Sequence, residues 1–306
     1  MLPYTDKDIK DILTTIITDV EFNIIPVGNH DIGRNLVYKV VVGGEDRYIF
    51  KIYSLAKRRT REIEASELLR KSNVTVPKVV KYGEVNSHEW ILKEYIDGEL
   101  FEKMYTHLDM YNQLSLFTQM GEELGKIHSS KKFDFIGDWN NKIRIDEYRD
   151  YTISKIENSI EEIMNQDLPD IKLLMKGIKI LRDNYEFLYN DIKESRLTHG
   201  DFDGRNILVT NTKGKYKISS IIDFEVCYPK NCENDLVNLY FKYFWDNKQY
   251  EKAFLKGYNK YMVIQSEFYE KLKFYLIRLI IDNCSWSYIR ANDYYTRNID
   301  FLKRLL

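Results

Sequence analysis

The run His199-Gly200-Asp201-Phe202-Asp203-Gly204-Arg205-Asn206-Ile207-Leu208, with Ile221-Ile222-Asp223-Phe224-Glu225 after it, decides the fold and narrows the chemistry. It sets an Asp, an Asn five residues later and a second Asp around two short apolar runs. Phosphoryl transfer from a nucleotide uses those parts. One carboxylate receives the proton of an attacking hydroxyl, while an amide oxygen and a second carboxylate hold Mg²⁺ against the phosphates. The loose transition state asks for positioning and charge stabilisation rather than covalent help. Asp201 is then the expected catalytic base. Asn206 and Asp223 are the expected metal ligands, offering the hard oxygens that Mg²⁺ takes.

The flanks fit that placement. Asn206-Ile207-Leu208-Val209 is β-prone, Asn211-Thr212-Lys213-Gly214 carries turn chemistry, and Ile218 to Ile222 reads as a second strand. Paired as a hairpin, the strands bring Asn206 and Asp223 to one end. His-Gly-Asp, four residues, Asn-Ile-Leu and then Ile-Ile-Asp-Phe-Glu resembles the aminoglycoside phosphotransferase and choline kinase family. That family shares the protein-kinase-like fold and has His-Gly-Asp where protein kinases have His-Arg-Asp. The resemblance implies an α+β, bilobal, protein-kinase-like fold. Residues 1–97 would form a nucleotide-binding N-lobe, a five-stranded antiparallel sheet plus a helix. Residues 98–306 would form a mostly helical C-lobe holding the catalytic loop and the substrate site. The motifs are specific over residues 199–225 and looser over 28–62.

Outward from the motif, the N-terminal part reads in the order such a lobe requires. Residues 5–18 have Thr5 as N-cap and Ile9, Ile12, Leu13, Ile16 and Ile17 on one helical face. Strand patterns follow at 22–27, 35–42 and 47–53, with Gly43-Gly44-Glu45-Asp46 as a hairpin turn. A helix near 57–71 and strands at 77–83 and 90–95 complete the set. Between the first two strands lies Gly28-Asn29-His30-Asp31-Ile32-Gly33-Arg34-Asn35, where Gly28, Gly33 and Asn35 are assigned to nucleotide phosphates. Glycine lets backbone N–H groups approach a phosphate closely. Lys51, inside Ile49-Phe50-Lys51-Ile52, is expected to meet the α- and β-phosphates. Arg61-Glu62-Ile63-Glu64-Ala65 resembles the family's Arg-Glu-Ala-Glu-Ala, which implies Glu62 as the partner of Lys51, ahead of Glu64. Leu92-Lys93-Glu94-Tyr95-Ile96-Asp97-Gly98 resembles the hinge, which implies that backbone groups of Glu94, Tyr95 and Ile96 hold the purine of ATP or GTP.

The C-terminal part is expected to be helical apart from the motif hairpin, with helices near 108–130, 146–165, 169–193, 233–246, 248–262, 265–292 and 295–305. His128 matches the family's Leu-X-X-Leu-His helix ending, although a helix dipole alone would favour it there. In Glu233-Asn234-Asp235-Leu236, Asp235 resembles the family's brace of the catalytic loop, and His199 reads as a structural hydrogen-bonding residue. Asp203 could receive a substrate amine or be a solvated loop acid. Asp282 and Trp286 share a helix face, and with Asp293 they suit an amine or quaternary ammonium substrate, while core packing is the plainer role for Trp286.

Composition sets the outer bounds. The 306 residues are 44% hydrophobic and 30% charged, enough for two cores and too apolar for disorder. Forty-six Lys and Arg against 47 Asp and Glu give no electrostatic call for nucleic acid. No apolar run reaches membrane-span length, and Met1-Leu2-Pro3-Tyr4-Thr5-Asp6-Lys7-Asp8 lacks signal-peptide order. Three cysteines without neighbouring ligands argue for thiols in a reducing cytoplasm and against zinc. The expectation is a cytoplasmic kinase, a monomer or weak dimer, that moves the γ-phosphate of a nucleotide to a hydroxyl of a small cationic molecule. An aminoglycoside-type antibiotic comes first. Choline or another amino alcohol, a sugar, a macrolide, or a non-catalytic nucleotide-binding regulator on the same scaffold are the alternatives.

Overall fold

The computed structural model describes residues 2–18, 20–28, 35–188, 192 and 194–306. In chain order the first elements are α1 (Asp6–Ile16), β1 (Phe22–Val27), β2 (Leu36–Val42), β3 (Glu45–Ile52), α2 (Arg58–Leu69), β4 (Val79–Val85) and β5 (His88–Glu94). Then come β6 (Glu99–Leu100), α3 (Phe101–Met104), α4 (Met110–Ser129), β7 (Lys132–Phe133), β8 (Phe135–Asp138), β9 (Asn141–Arg144), α5 (Tyr148–Met164) and α6 (Ile171–Asp183). The last are β10 (Ser195–Thr198), β11 (Ile207–Thr212), β12 (Lys215–Ile221), β13 (Tyr228–Lys230), α7 (Glu233–Leu239), α8 (Lys248–Tyr258), α9 (Ser266–Arg290) and α10 (Asn292–Leu305). The chain divides into two compact units, Met1–Tyr105 with Gly204–Val226, and Thr106–Asp203 with Cys227–Leu306.

The first unit is built on an antiparallel sheet of order β1-β2-β3-β5-β4. Thr5 and Asp8 start α1 with reciprocal caps: Asp8 N–H donates to Thr5 Oγ1 at 3.3 Å, and Thr5 N–H donates to Asp8 Oδ2 at 2.7 Å. Ile9, Leu13 and Ile16 then form a buried stripe against Leu36, Tyr38, Val40, Phe50, Ile52 and Leu92 of the sheet. Strand side chains alternate between faces, so the face that takes Phe50 and Leu92 sends Lys51 and Lys93 to the other. That other face meets α2, whose buried positions are Glu62, Ala65 and Leu69. The motif hairpin pairs Ile207 with Ile221, and β6 adds to its outer edge at Leu208 and Val209. Thr75 also accepts the Ile221 N–H at 3.0 Å. These bonds place residues 204–226 with the first unit, so the unit is discontinuous where the sequence suggests a single cut after residue 97.

In the second unit α4 crosses α8 closely. A Cβ on Gly121 would collide with the Phe254 carbonyl, and one on Gly257 with the Thr118 carbonyl. A second group forms on α9, which is buried along much of its length and takes α5, α6, α7 and α10 against it. Several expectations need correction. The helix expected over 169–193 ends at Asp183, where the Asn184 side chain donates to Ile180 O at 2.7 Å, and a 3₁₀ turn follows at Tyr185–Leu188. The helix expected over 233–246 is α only to Leu239 and then a π-helical turn, Tyr240–Phe244. The strands β7 to β10 and β13 fall in a region read as helical, because runs of two to four residues are too short to carry a period of two. The three cysteines form no disulfide. Among the described residues no helix is long and apolar enough to cross a membrane.

Candidate active site

Lys51 is the centre of the charged cluster in the first unit. Its ammonium donates to Glu62 Oε1 at 2.9 Å and Asp223 Oδ1 at 2.7 Å, and it lies 2.6 Å from Glu225 Oε2. The residue is 4% exposed. Burial opposes its charge, yet Asp223, Glu62 and Glu225 hold its pKa well above the ordinary lysine value. Burial would likewise raise Glu62, but Lys51 and Lys93 keep it well below the usual carboxylate range. Glu64 is half-buried and Glu67 exposed, so of the three acids on α2 the helix turns Glu62 to the lysine.

Three carboxylates surround the Lys51 ammonium, with Lys93 also on Glu62 and the guanidinium groups of Arg58 and Arg61 on the Glu225 carbonyl. Glu62, Asp223 and Glu225 also come close enough together to hold a metal ion. The ammonium already among them makes that set a lysine site. The expected ligands Asn206 and Asp223 fit Mg²⁺ on a different observation. They flank the Ile207–Ile221 rung, and Ile222 N–H donates to Asn206 O at 2.9 Å, so an amide oxygen and a carboxylate belong to one hairpin end. Asp223 has φ +67°, a left-handed conformation that costs most L-residues about 1–2 kcal/mol and that Asp tolerates better. Its side chain is 39% exposed, unlike that of Lys51.

The loop assigned to phosphates is described only at its ends. Gly28 has φ +81°, which glycine adopts without strain. Gly33 lies outside the described residues. Asn35 is engaged within the protein: its Nδ2 donates to Glu225 Oε2 at 2.5 Å and its Oδ1 accepts the Ser54 N–H at 3.0 Å. It therefore ties the end of β3 to Glu225 instead of offering its amide to a phosphate. At the hinge, Glu94 N–H donates to Lys78 O and Tyr95 N–H to Arg47 O, at 2.9 and 3.0 Å. Ile96 N–H has no hydrogen-bond partner among the described residues.

In the second unit Asp201 follows β10 on a loop fixed from beneath. His199 N–H and Gly200 N–H each donate to Asp235 at 2.7 Å, one to each carboxylate oxygen. Gly200 has φ +85°, which allows consecutive amides to converge on one acid. His128 Nε2 meets Asp235 Oδ2 at 3.0 Å, and its Nδ1 meets the Tyr258 hydroxyl at 2.8 Å. An ionised Asp235 only accepts, so Nε2 carries the proton and Nδ1 accepts from Tyr258. Burial is the largest single influence and raises the Asp235 pKa, but His128, Lys230 and His199 together outweigh it and leave the acid below its usual value. His199 is fully buried, and its Nδ1 receives the Asp201 N–H at 3.3 Å.

Asp203 corrects one expectation. It is 1% exposed and its Oδ2 accepts from Lys242 Nζ at 2.7 Å, on the π-helical turn. An incoming amine would have to displace that lysine, so Asp203 is no open receptor. Asp282 is exposed and accepts from Ser159 Oγ at 2.9 Å. Trp286 is half-buried, its ring 5.8 Å from that of Tyr294, next to the exposed Asp293. Trp286, Asp293 and Tyr294 lie near the α9–α10 junction, and Asp282 is one helical turn before Trp286 on α9.

Glu225, Lys93, Lys242 and Tyr258 had no role in the sequence reading. Glu225 stood two residues past Asp223 inside the motif, and Lys93 was a cation inside an apolar strand; each was a signal open to use. Lys242 and Tyr258 carried none, since their partners are 39 and 130 residues away.

Residues 32–275 match the model of a phosphotransferase enzyme family. No curated protein matches the chain significantly. Solved structures do. A ternary complex of a thermostable mutant of aminoglycoside phosphotransferase APH(4)-Ia with AMP-PNP and hygromycin B superposes with a TM-score of 0.74 at 16% identity, over 97% of each chain. The GDP complex of wild-type aminoglycoside 2'-phosphotransferase-IIIa gives 0.71 at 15% identity, covering 99% of this chain and 98% of that one. The gentamicin complex of APH(2")-IIa gives 0.66 at 19% identity, covering 99% and 97%. At these identities the likeness is one of fold.

Proposed function

This chain belongs to the phosphotransferase enzyme family, and from that premise we propose a nucleotide-dependent kinase that moves the γ-phosphate of ATP or GTP to a hydroxyl of a small cationic molecule, aminoglycosides first. The observation that carries the proposal is the buried Lys51, held by Glu62 and Asp223 at 2.9 and 2.7 Å. A lysine fixed by a helix glutamate, with a metal-type aspartate beside it, is the arrangement that grips nucleotide phosphates.

In this mechanism the purine meets the backbone of the Glu94–Ile96 segment, where the Ile96 N–H offers a donor. Lys51 trades part of its contact with Asp223 for phosphate oxygens. Asn206 and Asp223 would hold Mg²⁺, which neutralises charge building on the phosphates. Asp201, on the loop braced by Asp235, orients the substrate hydroxyl and takes its proton. Gly28 lets the backbone approach the phosphates, while Asn35 acts at one remove through Glu225. Exposed Asp282 and Asp293 with Trp286 and Tyr294 suit an amine, acids for charge and aromatic faces for the cation. Relatives of this fold in complex with hygromycin B and gentamicin support that choice.

The test is a phosphorylation screen with ATP and GTP, with and without Mg²⁺, over aminoglycosides, choline, sugars and macrolides. Mg²⁺-dependent turnover of an aminoglycoside is the expected result. Turnover of a neutral sugar alone would remove the cationic substrate and keep the kinase. No transfer, with nucleotide binding intact, would favour a regulatory protein.

A further inference from the structure

Lys93 is a second buried lysine in the first unit, and the mechanism above gives it no work. It is the last position of β5 before Glu94, and it is 8% exposed. Its register partner on β3 is Ile49, whereas Lys51 faces Ile91. The two lysines are therefore diagonal neighbours on one sheet face, with Cα atoms about 7–8 Å apart. Both donate to Glu62, Lys51 to Oε1 and Lys93 to Oε2. Lys51 has two further carboxylates, Asp223 and Glu225. For Lys93, Glu62 is the one carboxylate partner among the described residues.

An ammonium has three N–H donors and accepts nothing. One Glu62 oxygen leaves donors over, in a place where water has little access, and buried donors without acceptors are costly. Granted the purine site proposed above at Glu94–Ile96, Lys93 lies one residue before that segment and on the same sheet face as the phosphate lysine. A guanine presents an acceptor, O6, at its six position. Adenine presents an amino group there, which sets donor against donor. We propose that Lys93 makes this site select purine nucleotides with a 6-oxo group, so that GTP is preferred to ATP.

The experiment measures Mg²⁺-nucleotide affinity by calorimetry on the full chain, with GTP, ATP and ITP; the last carries the 6-oxo group without the 2-amino group. GTP and ITP should both bind at least about tenfold tighter than ATP, as expected for a hydrogen bond from a charged donor. Lys93→Met should bring the three to within about threefold of one another, and Lys93→Arg should keep the preference. Equal binding of all three, or tighter ATP, overturns the role of Lys93 and leaves the kinase standing. Tight GTP with ITP no better than ATP also overturns it, because the 2-amino group would then be the discriminator. A preference that survives in Lys93→Met does the same. Should that variant fail to fold, the ITP comparison on the unaltered protein still decides. Failure to bind any of the three would remove the kinase reading, and this inference with it.

Discussion

The two buried charge clusters of this protein are built to opposite ends. In the first unit, Lys51 sits among three carboxylates, one of which, Asp223, is 39% exposed. In the second, Asp235 is fully buried and spends its oxygens on two backbone amides and His128. The first cluster gives its central ammonium three carboxylates, one of them exposed, which suits the exchange of partners with phosphate and metal proposed for it. The second is saturated and closed, so it can only hold. Lending partners requires solvent contact, whereas bracing a loop requires that every acceptor be occupied.

The sharpest way to break the comparison is Asp201→Ala. The braced loop should survive, with an unchanged melting curve, while turnover falls by roughly 10²–10⁴ or more, because base and orientation are lost together. Near-normal turnover in the purified variant would show that the brace holds a bystander.

Asp235→Ala strikes the closed cluster and should act on stability first. The substitution leaves two backbone N–H groups and the His128 Nε2–H without their acceptor, at about 1–3 kcal/mol for a buried unsatisfied donor, read as a shifted urea midpoint. The Asp235 pKa is lowered in the fold, so its stabilisation is full above the unfolded carboxyl value of about 4. That stabilisation drains away as pH falls through the lower folded value. The unaltered protein should thus lose stability into acid, and Asp235→Asn should flatten that part of the curve. Parallel acid curves would mean that Asp235 carries no such linkage.

Asp223→Ala probes the open cluster. Lys51 keeps Glu62 and Glu225, so the melting temperature should move little. Affinity for Mg²⁺-nucleotide should drop about 10–100-fold, as for loss of a charged ligand, with free nucleotide much less affected. Calorimetry with and without Mg²⁺ separates the two, and equal losses would take the metal role from Asp223.

The smallest effect belongs to the acids proposed for the substrate. Exposed carboxylates are screened within a Debye length of about 8 Å at physiological salt. KM for a cationic substrate should therefore rise a few-fold between low and high salt, and Asp282→Asn or Asp293→Asn should raise KM more than it lowers kcat. A salt-independent KM would place amine recognition elsewhere.

Much of this protein is legible in order along the chain. His199 to Leu208 and Ile221 to Glu225 carry their chemistry in residue type and spacing, because a hairpin of short apolar strands brings Asn206 and Asp223 to one end by local pairing alone. The helix caps, the strand alternation of the first unit and its five-strand order are local in the same sense. What the tertiary structure alone decided is which polar groups meet across long separations. Alternation cannot say which face of β3 is apolar; the stripe of α1 claims Phe50 and so turns Lys51 toward Glu62. Asp203 looks open in sequence until Lys242, 39 residues on, closes it. Asn35 looks like a phosphate ligand until Glu225, 190 residues away, takes its amide. A side chain's partners are set by packing, and packing joins residues that no local pattern connects.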